Sequence, residues 1–152
     1  MEKLHILKEK MVKYYEGDPA RIHHFLKVHS FAKWIGEEEG LESETLEILE
    51  AAALVHDIGI KIAEEKYGSD AGPLQEKEGP AAAEQILKES GYEGTLIDRV
   101  CYLVGHHHTY TDIDGADYQI LVEADFLVNL YEGGESREAI EHAYSGIFRT
   151  GA

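Results

Sequence analysis

The sequence predicts an all-α fold, a compact bundle of about six to seven helices, on three observations. Apolar residues recur at helical spacing in nearly every segment. No stretch of strand length alternates convincingly with period two. Glycine, proline and N-capping residues fall where helices of ordinary length must start and stop. With 152 residues, 43% of them hydrophobic and only 3 prolines, the chain can build one core, and a single domain over its whole length is expected.

The first helix spans residues 2–15, with Leu4, Leu7 and Met11 inward, and Gly17 stops it. Asp18 and Pro19 then supply an N-cap and a first-turn proline for a second helix that runs to Glu39, before Gly40. A third begins at Ser43 and carries Leu46, Leu49, Ala52, Ala53 and His56 to Gly59. From Ile60 to Glu78 the pattern lapses at Gly68, Gly72 and Pro73, and a long functional connection such as a lid is expected. Gly79-Pro80 opens a helix that ends at Gly91, and Thr95 caps the next, which leads through Leu96, Val100, Leu103 and Val104 into a histidine run. After a polar turn, the helix from Asp117 to Tyr131 is apolar nearly all round and should lie centrally. Gly133-Gly134 separates it from a last short helix holding Ala139, Ile140 and Ala143.

Charge and composition exclude several functions. A net charge of -16, from 30 acidic against 14 basic residues, repels a phosphate backbone, so duplex nucleic acid is not an expected partner. Cys101 is the only cysteine, which rules out an intramolecular disulfide and a thiolate-rich zinc cage and fits a reducing, cytoplasmic setting. No uninterrupted apolar stretch suits a signal peptide or a membrane span, and a soluble protein is expected.

Candidate functional residues are polar groups placed where helical phase asks for apolar ones. His29 shares a face with Ile22, Phe25 and Ala32 in the second helix. His56 follows Leu49, Ala52 and Ala53 on the inward face of the third, with Asp57 at its edge. Asp125 sits among Leu121, Val122 and Val128 in the most hydrophobic helix, where an unpartnered carboxylate is costly to ionise. Two imidazoles and two carboxylates from three helices form a mixed nitrogen and oxygen set suited to a divalent cation, which would also supply the missing positive charge.

A histidine on an early helix, the His-Asp pair in "AAALVHDIGI" and a distant aspartate in "ILVEADFLVNL" resemble, in that order, the HD superfamily of helical metal-dependent phosphohydrolases, from Arg21 to Leu130. The resemblance implies that His29, His56, Asp57 and Asp125 hold a first metal, that Asp57 is shared with any second one, and that Asp57 and His56 carry the catalysis. Its further ligands fall on Glu78, where relatives often have a histidine, and on the run His106-His107-His108. Successive residues on a helix diverge by about 100 degrees, so two of the three at most meet one cluster, His107 first and then His106. Lys61, Arg99 and Tyr110 are the expected substrate contacts.

The expected activity is hydrolysis of a phosphomonoester or phosphodiester of a nucleotide or small phosphorylated metabolite by metal-activated water. The cofactor is one or two divalent ions, with iron, manganese, zinc, magnesium and nickel all compatible. A homodimer is compatible with the sequence. Two alternatives belong to other classes: an HD-type di-iron oxygenase, against which Glu78 argues by making the set less rich in nitrogen, and a non-catalytic module that binds nucleotide or metal and signals by contact.

Overall fold

Eight α-helices and no strand are present among the described residues, 2–134 and 136–151, of the computed structural model. They are α1 (Lys3–Tyr14), α2 (Pro19–Glu38), α3 (Ser43–Val55), α4 (Gly59–Tyr67), α5 (Gly72–Glu89), α6 (Thr95–Val104), α7 (Ala116–Glu132) and α8 (Arg137–Gly146). The all-α expectation holds. Helix α2 starts as its sequence dictates: Pro19 takes the first turn, and the Asp18 carboxylate accepts the Arg21 backbone N–H at 3.2 Å.

The stretch 60–78, expected to be irregular, is helical. Gly68 ends α4 in the left-handed region, at φ 67°, and Pro73 occupies the first turn of α5, where a missing N–H breaks no hydrogen bond. Glycine and proline therefore mark the boundary between two helices. Pro80, expected to open a helix, lies inside α5 and leaves the Glu76 carbonyl without its usual donor. At the other side of this segment α3 ends earlier than expected, at Val55, and His56-Asp57-Ile58 forms a tight turn into α4.

The core lies where α2 packs on α3 and α7, closed by α6 against α3 and α5 and by α1 against α3. Phe25, Leu49, Leu54, Leu103, Ile120 and Leu121 are fully buried in it. As its composition predicts, α7 is central. No helix among the described residues is long and apolar enough to cross a membrane.

Two features hold the turn after α3. Its carbonyls are tied to α1, because Tyr15 Oη donates to Asp57 O at 2.6 Å and Tyr14 Oη to Ile58 O at 3.3 Å. Burial, and then the Asp57 charge, push the Tyr15 phenol up, so it stays a donor. The second feature is a backbone crossing of α4 on α5. A Cβ on Gly59 would stand 2.5 Å from Gln75 O and 3.0 Å from Gly79 N, and one on Gly79 would stand 2.7 Å from Val104 Cγ1. Only hydrogen fits between these elements. Gly59→Ala should therefore destabilise the fold by about 1–3 kcal/mol, seen as a melting temperature lowered by about 2–4 °C per kcal/mol. A variant that melts with the wild type would show that the crossing is not tight.

Candidate metal centre

Four side chains from α2, the turn after α3, and α7 meet in the interior. His24 Nε2 lies 3.0 Å from Asp57 Oδ2, 3.2 Å from Asp125 Oδ1 and 3.3 Å from His56 Nε2. His56 Nε2 lies 3.2 Å from the same Asp57 oxygen and 3.3 Å from the same Asp125 oxygen. All four residues are buried, Asp57 to 6% and Asp125 to 3% exposure. Arg21, one turn before His24, reaches the group from its rim, with Nη1 3.1 Å from Asp57 Oδ2.

The opposite nitrogen of each imidazole fixes what it offers. His56 Nδ1 is 2.7 Å from Ala53 O and His107 Nδ1 is 2.8 Å from Val104 O, and since a carbonyl only accepts, both Nδ1 atoms carry the proton. His24 Nδ1 is 2.8 Å from the Glu132 carboxylate, which orients that ring in the same sense. Neutral rings so held present the Nε2 lone pair inward. Asn129 Nδ2 donates to Asp125 Oδ1 at 3.1 Å and steadies that carboxylate.

A second group adjoins the first through Asp57. The potential ligand atoms of Asp57, His107 and His108 lie within 4.8 Å of one another. His107 Nε2 is 3.5 Å from Asp57 Oδ1 and makes no hydrogen bond, although it is buried. Two acceptors facing each other in the interior are costly, and a cation would satisfy both. Gln75 Nε2 donates to Asp70 O, so its Oε1 is the acceptor for His108 Nε2 at 2.9 Å, leaving the His108 lone pair on Nδ1. Glu76 anchors this end of α6: its carboxylate accepts the His108 backbone N–H at 3.0 Å and the Thr109 hydroxyl at 2.9 Å.

The electrostatics match a site that requires positive charge. Burial opposes charging of His24, but Asp125 and Asp57 outweigh it and carry its pKa up to about 9. His56 is raised for the same reasons, chiefly by Asp57 against the cost of burial. Burial would neutralise Asp57 and Asp125, yet the facing imidazoles hold both carboxyls below the usual carboxylate range. Two buried carboxylates thus hold cationic partners, which a divalent ion can replace. Burial and then His107 lower His108 to about 4, so that ring is neutral. Neutral imidazoles and carboxylates in this proportion suit zinc or a first-row divalent metal.

The structure corrects several expected positions. His29 is not in the cluster: its Nε2 lies 3.0 Å from Glu50 Oε1. His24, five residues earlier and so about 7.5 Å along the helix, stands in its place. Both histidines are on the buried side of α2, so helical phase alone could not separate them. The available signal was the level of the partner helix, since α2 and α3 run antiparallel, pairing His29 with Glu50 and His24 with His56. His106 is also elsewhere, with Nδ1 2.7 Å from Tyr102 O and its ring stacked on Tyr102 at 4.0 Å between centroids. His108 takes the second place beside His107. Glu78 is bound on the outer side of α5 by Lys66 at 3.0 Å and by the Tyr67 hydroxyl at 2.7 Å.

Of the expected substrate contacts, Arg99 is committed to Asp117 at 2.8 and 3.0 Å and to Asp114 at 3.3 Å. Lys61 donates to Tyr14 O at 3.3 Å and lies over the Tyr14 ring, 5.0 Å from its centroid. Tyr110 stays near it, its phenol pushed up to about 12 by burial, then by Asp125 and other nearby carboxylates. Arg21, absent from the expected set, is the guanidinium that touches the centre. Its signal was its place one turn ahead of His24 in "RIHH".

The sequence matches the family described as HD domain over residues 21–142, a span that contains every residue of the centre. No curated protein and no solved structure shows a significant match. Manganese at roughly 100 times its Kd should stabilise the wild type by about 2.7 kcal/mol in thermal unfolding. His24→Ala should abolish that stabilisation and His29→Ala should keep it; the reverse pattern would restore His29 as the ligand.

Proposed function

The chain belongs to the HD-domain family, and from that premise we propose that it is a metal-dependent phosphohydrolase acting on a phosphomonoester or phosphodiester of a nucleotide or other small phosphorylated metabolite. The convergence of His24, His56, Asp57 and Asp125, with the imidazoles oriented from behind by Glu132 and Ala53 O, is the observation that carries this reading. These four would hold the first ion, and Asp57, His107 and His108 would hold a second. A divalent cation bound there supplies Lewis acidity toward a phosphoryl oxygen and makes a water acidic enough to act as nucleophile near neutral pH.

The chain's own residues supply the remainder. Asp57 faces His24, His56 and Arg21 with Oδ2 and His107 with Oδ1, so one carboxylate joins both halves of the centre. Arg21 has further N–H donors beyond the one on Asp57, and its planar fork suits two oxygens of a phosphoryl group. On a chain of net charge -16, such a local cation is needed to hold an anionic substrate at the centre. Burial of the imidazoles excludes bulk water from the ligand atoms and strengthens every charge interaction there.

Elemental analysis of the purified protein, with phosphatase and phosphodiesterase panels, tests the proposal. Asp57→Ala should lose both bound metal and hydrolysis, and a variant unchanged in both would overturn the reading. Arg21→Ala should keep its metal while kcat/KM falls about 10- to 100-fold, the loss of one charge-assisted hydrogen bond to phosphate.

A further inference from the structure

A cavity of about 670 Å³ lies between α7, α8 and the loop after the histidine run, in the size range of small-molecule pockets. It reaches the metal centre at two points. Asn129, on its wall, donates to the Asp125 carboxylate at 3.1 Å. Tyr110, also on its wall, follows His108 by two residues in the chain. A second cavity, of about 800 Å³ beside Trp34 and Tyr144, has neither connection.

The lining has a definite chemistry. Tyr110 and Phe126 meet edge to face at 5.2 Å between ring centroids and form an aromatic wall. Leu130, Ala143 and Ile147 supply apolar surface. No lysine or arginine is among the described lining residues, and beside Asn129 its polar groups are Ser136, Glu138 and His142. Arg137, next in sequence, is 3.1 Å from Glu141 on the outer face of α8. Among these residues a ligand group with several phosphoryls would meet the Glu138 carboxylate and no lysine or arginine, with the imidazole of His142 as the one basic group, whereas an aromatic face would meet two rings.

We infer that the substrate is a phosphate monoester whose alcohol portion is a compact, uncharged, apolar group with an aromatic face, seated in the α7–α8 cavity while its single phosphoryl group lies at the Asp57 cluster. The reaction rests on the phosphohydrolase proposal; the cavity and the class of group it takes rest on the lining. Attack of water on phosphorus would form a P–O bond and break the ester P–O bond. The alcohol then leaves with a proton, and inorganic phosphate is the second product.

The test compares 1-naphthyl phosphate with glycerol 3-phosphate, and measures binding of 1-naphthol alone by calorimetry, on the metal-loaded wild type and on Ala139→Trp, which fills the cavity from α8. The wild type should favour the naphthyl ester in kcat/KM by about tenfold or more, and Ala139→Trp should cancel that preference and lose naphthol binding. Hydrolysis of both esters with the same preference in the two proteins would overturn the cavity assignment and leave the reaction standing. Naphthol binding that the variant loses, with neither ester hydrolysed, would overturn the phosphohydrolase reading and leave the cavity assigned.

Discussion

Two ionised carboxylates, Asp57 and Asp125, are buried within reach of the same pair of imidazole nitrogens, and the rest of the molecule is arranged around that charge. Carboxylates in an apolar interior must be neutralised or paired. Here His24 and His56 stand between them, Arg21 covers the rim and Asn129 takes up a further lone pair. The imidazoles are themselves constrained from behind, so the centre is held in two successive layers of hydrogen bonds. This is the arrangement that metal ligands require, because a ligand free to rotate loses affinity.

Backbone features carry this constraint outward. The His56-Asp57-Ile58 turn ends α3 at the level of His24, and Tyr14 and Tyr15, at the end of α1, hold its carbonyls. Behind it, the glycine crossing brings α5 close enough for Gln75 and Glu76 to fix His108 and its backbone. Tyr118, at the start of α7, donates to the carbonyls of His106 and Thr109 and ties the histidine run to the helix that carries Asp125. The ends of α1, α3 and α6 thus converge with α2, α5 and the central α7 on a volume only a few side chains wide. A rigid site built from helix termini explains how a small bundle can hold charge in its core without a sheet to support it.

The centre is asymmetric. On one side lie His24, His56 and Asp125, on the other His107 and His108, and the two oxygens of Asp57 divide between them. The surroundings are asymmetric as well: Arg21 supplies cationic character at one edge, while the cavity beyond Asn129 and Tyr110 has aromatic and apolar walls with no lysine or arginine among its described lining residues. On the proposed reading, phosphoryl recognition and recognition of the organic group would be separated in space. A large negative charge on the whole chain is compatible with this, since screening confines most of it to the surface.

Local rules decided much of this protein before it folds. Apolar periodicity and the Asp18-Pro19 start specify helices, and the apolar surroundings of His56, Asp57 and Asp125 show that polar groups must be buried together. Phase also placed a histidine of α2 in the interior, but two satisfy it. Choosing His24 over His29 requires the axial level at which antiparallel α2 and α3 meet. The choice of His108 over His106 is settled partly by local and partly by distant contacts, since Tyr102, one turn earlier, holds the His106 ring and Gln75, from α5, holds that of His108. Arg99 and Glu78 read as available charges until their partners, Asp117, Lys66 and Tyr67, are brought beside them. The sequence by itself determined which side chains face inward, because that follows from angle along one helix. Only the tertiary structure decided which of them touch, because contact depends on the offset between helices, which packing sets and no single helix encodes.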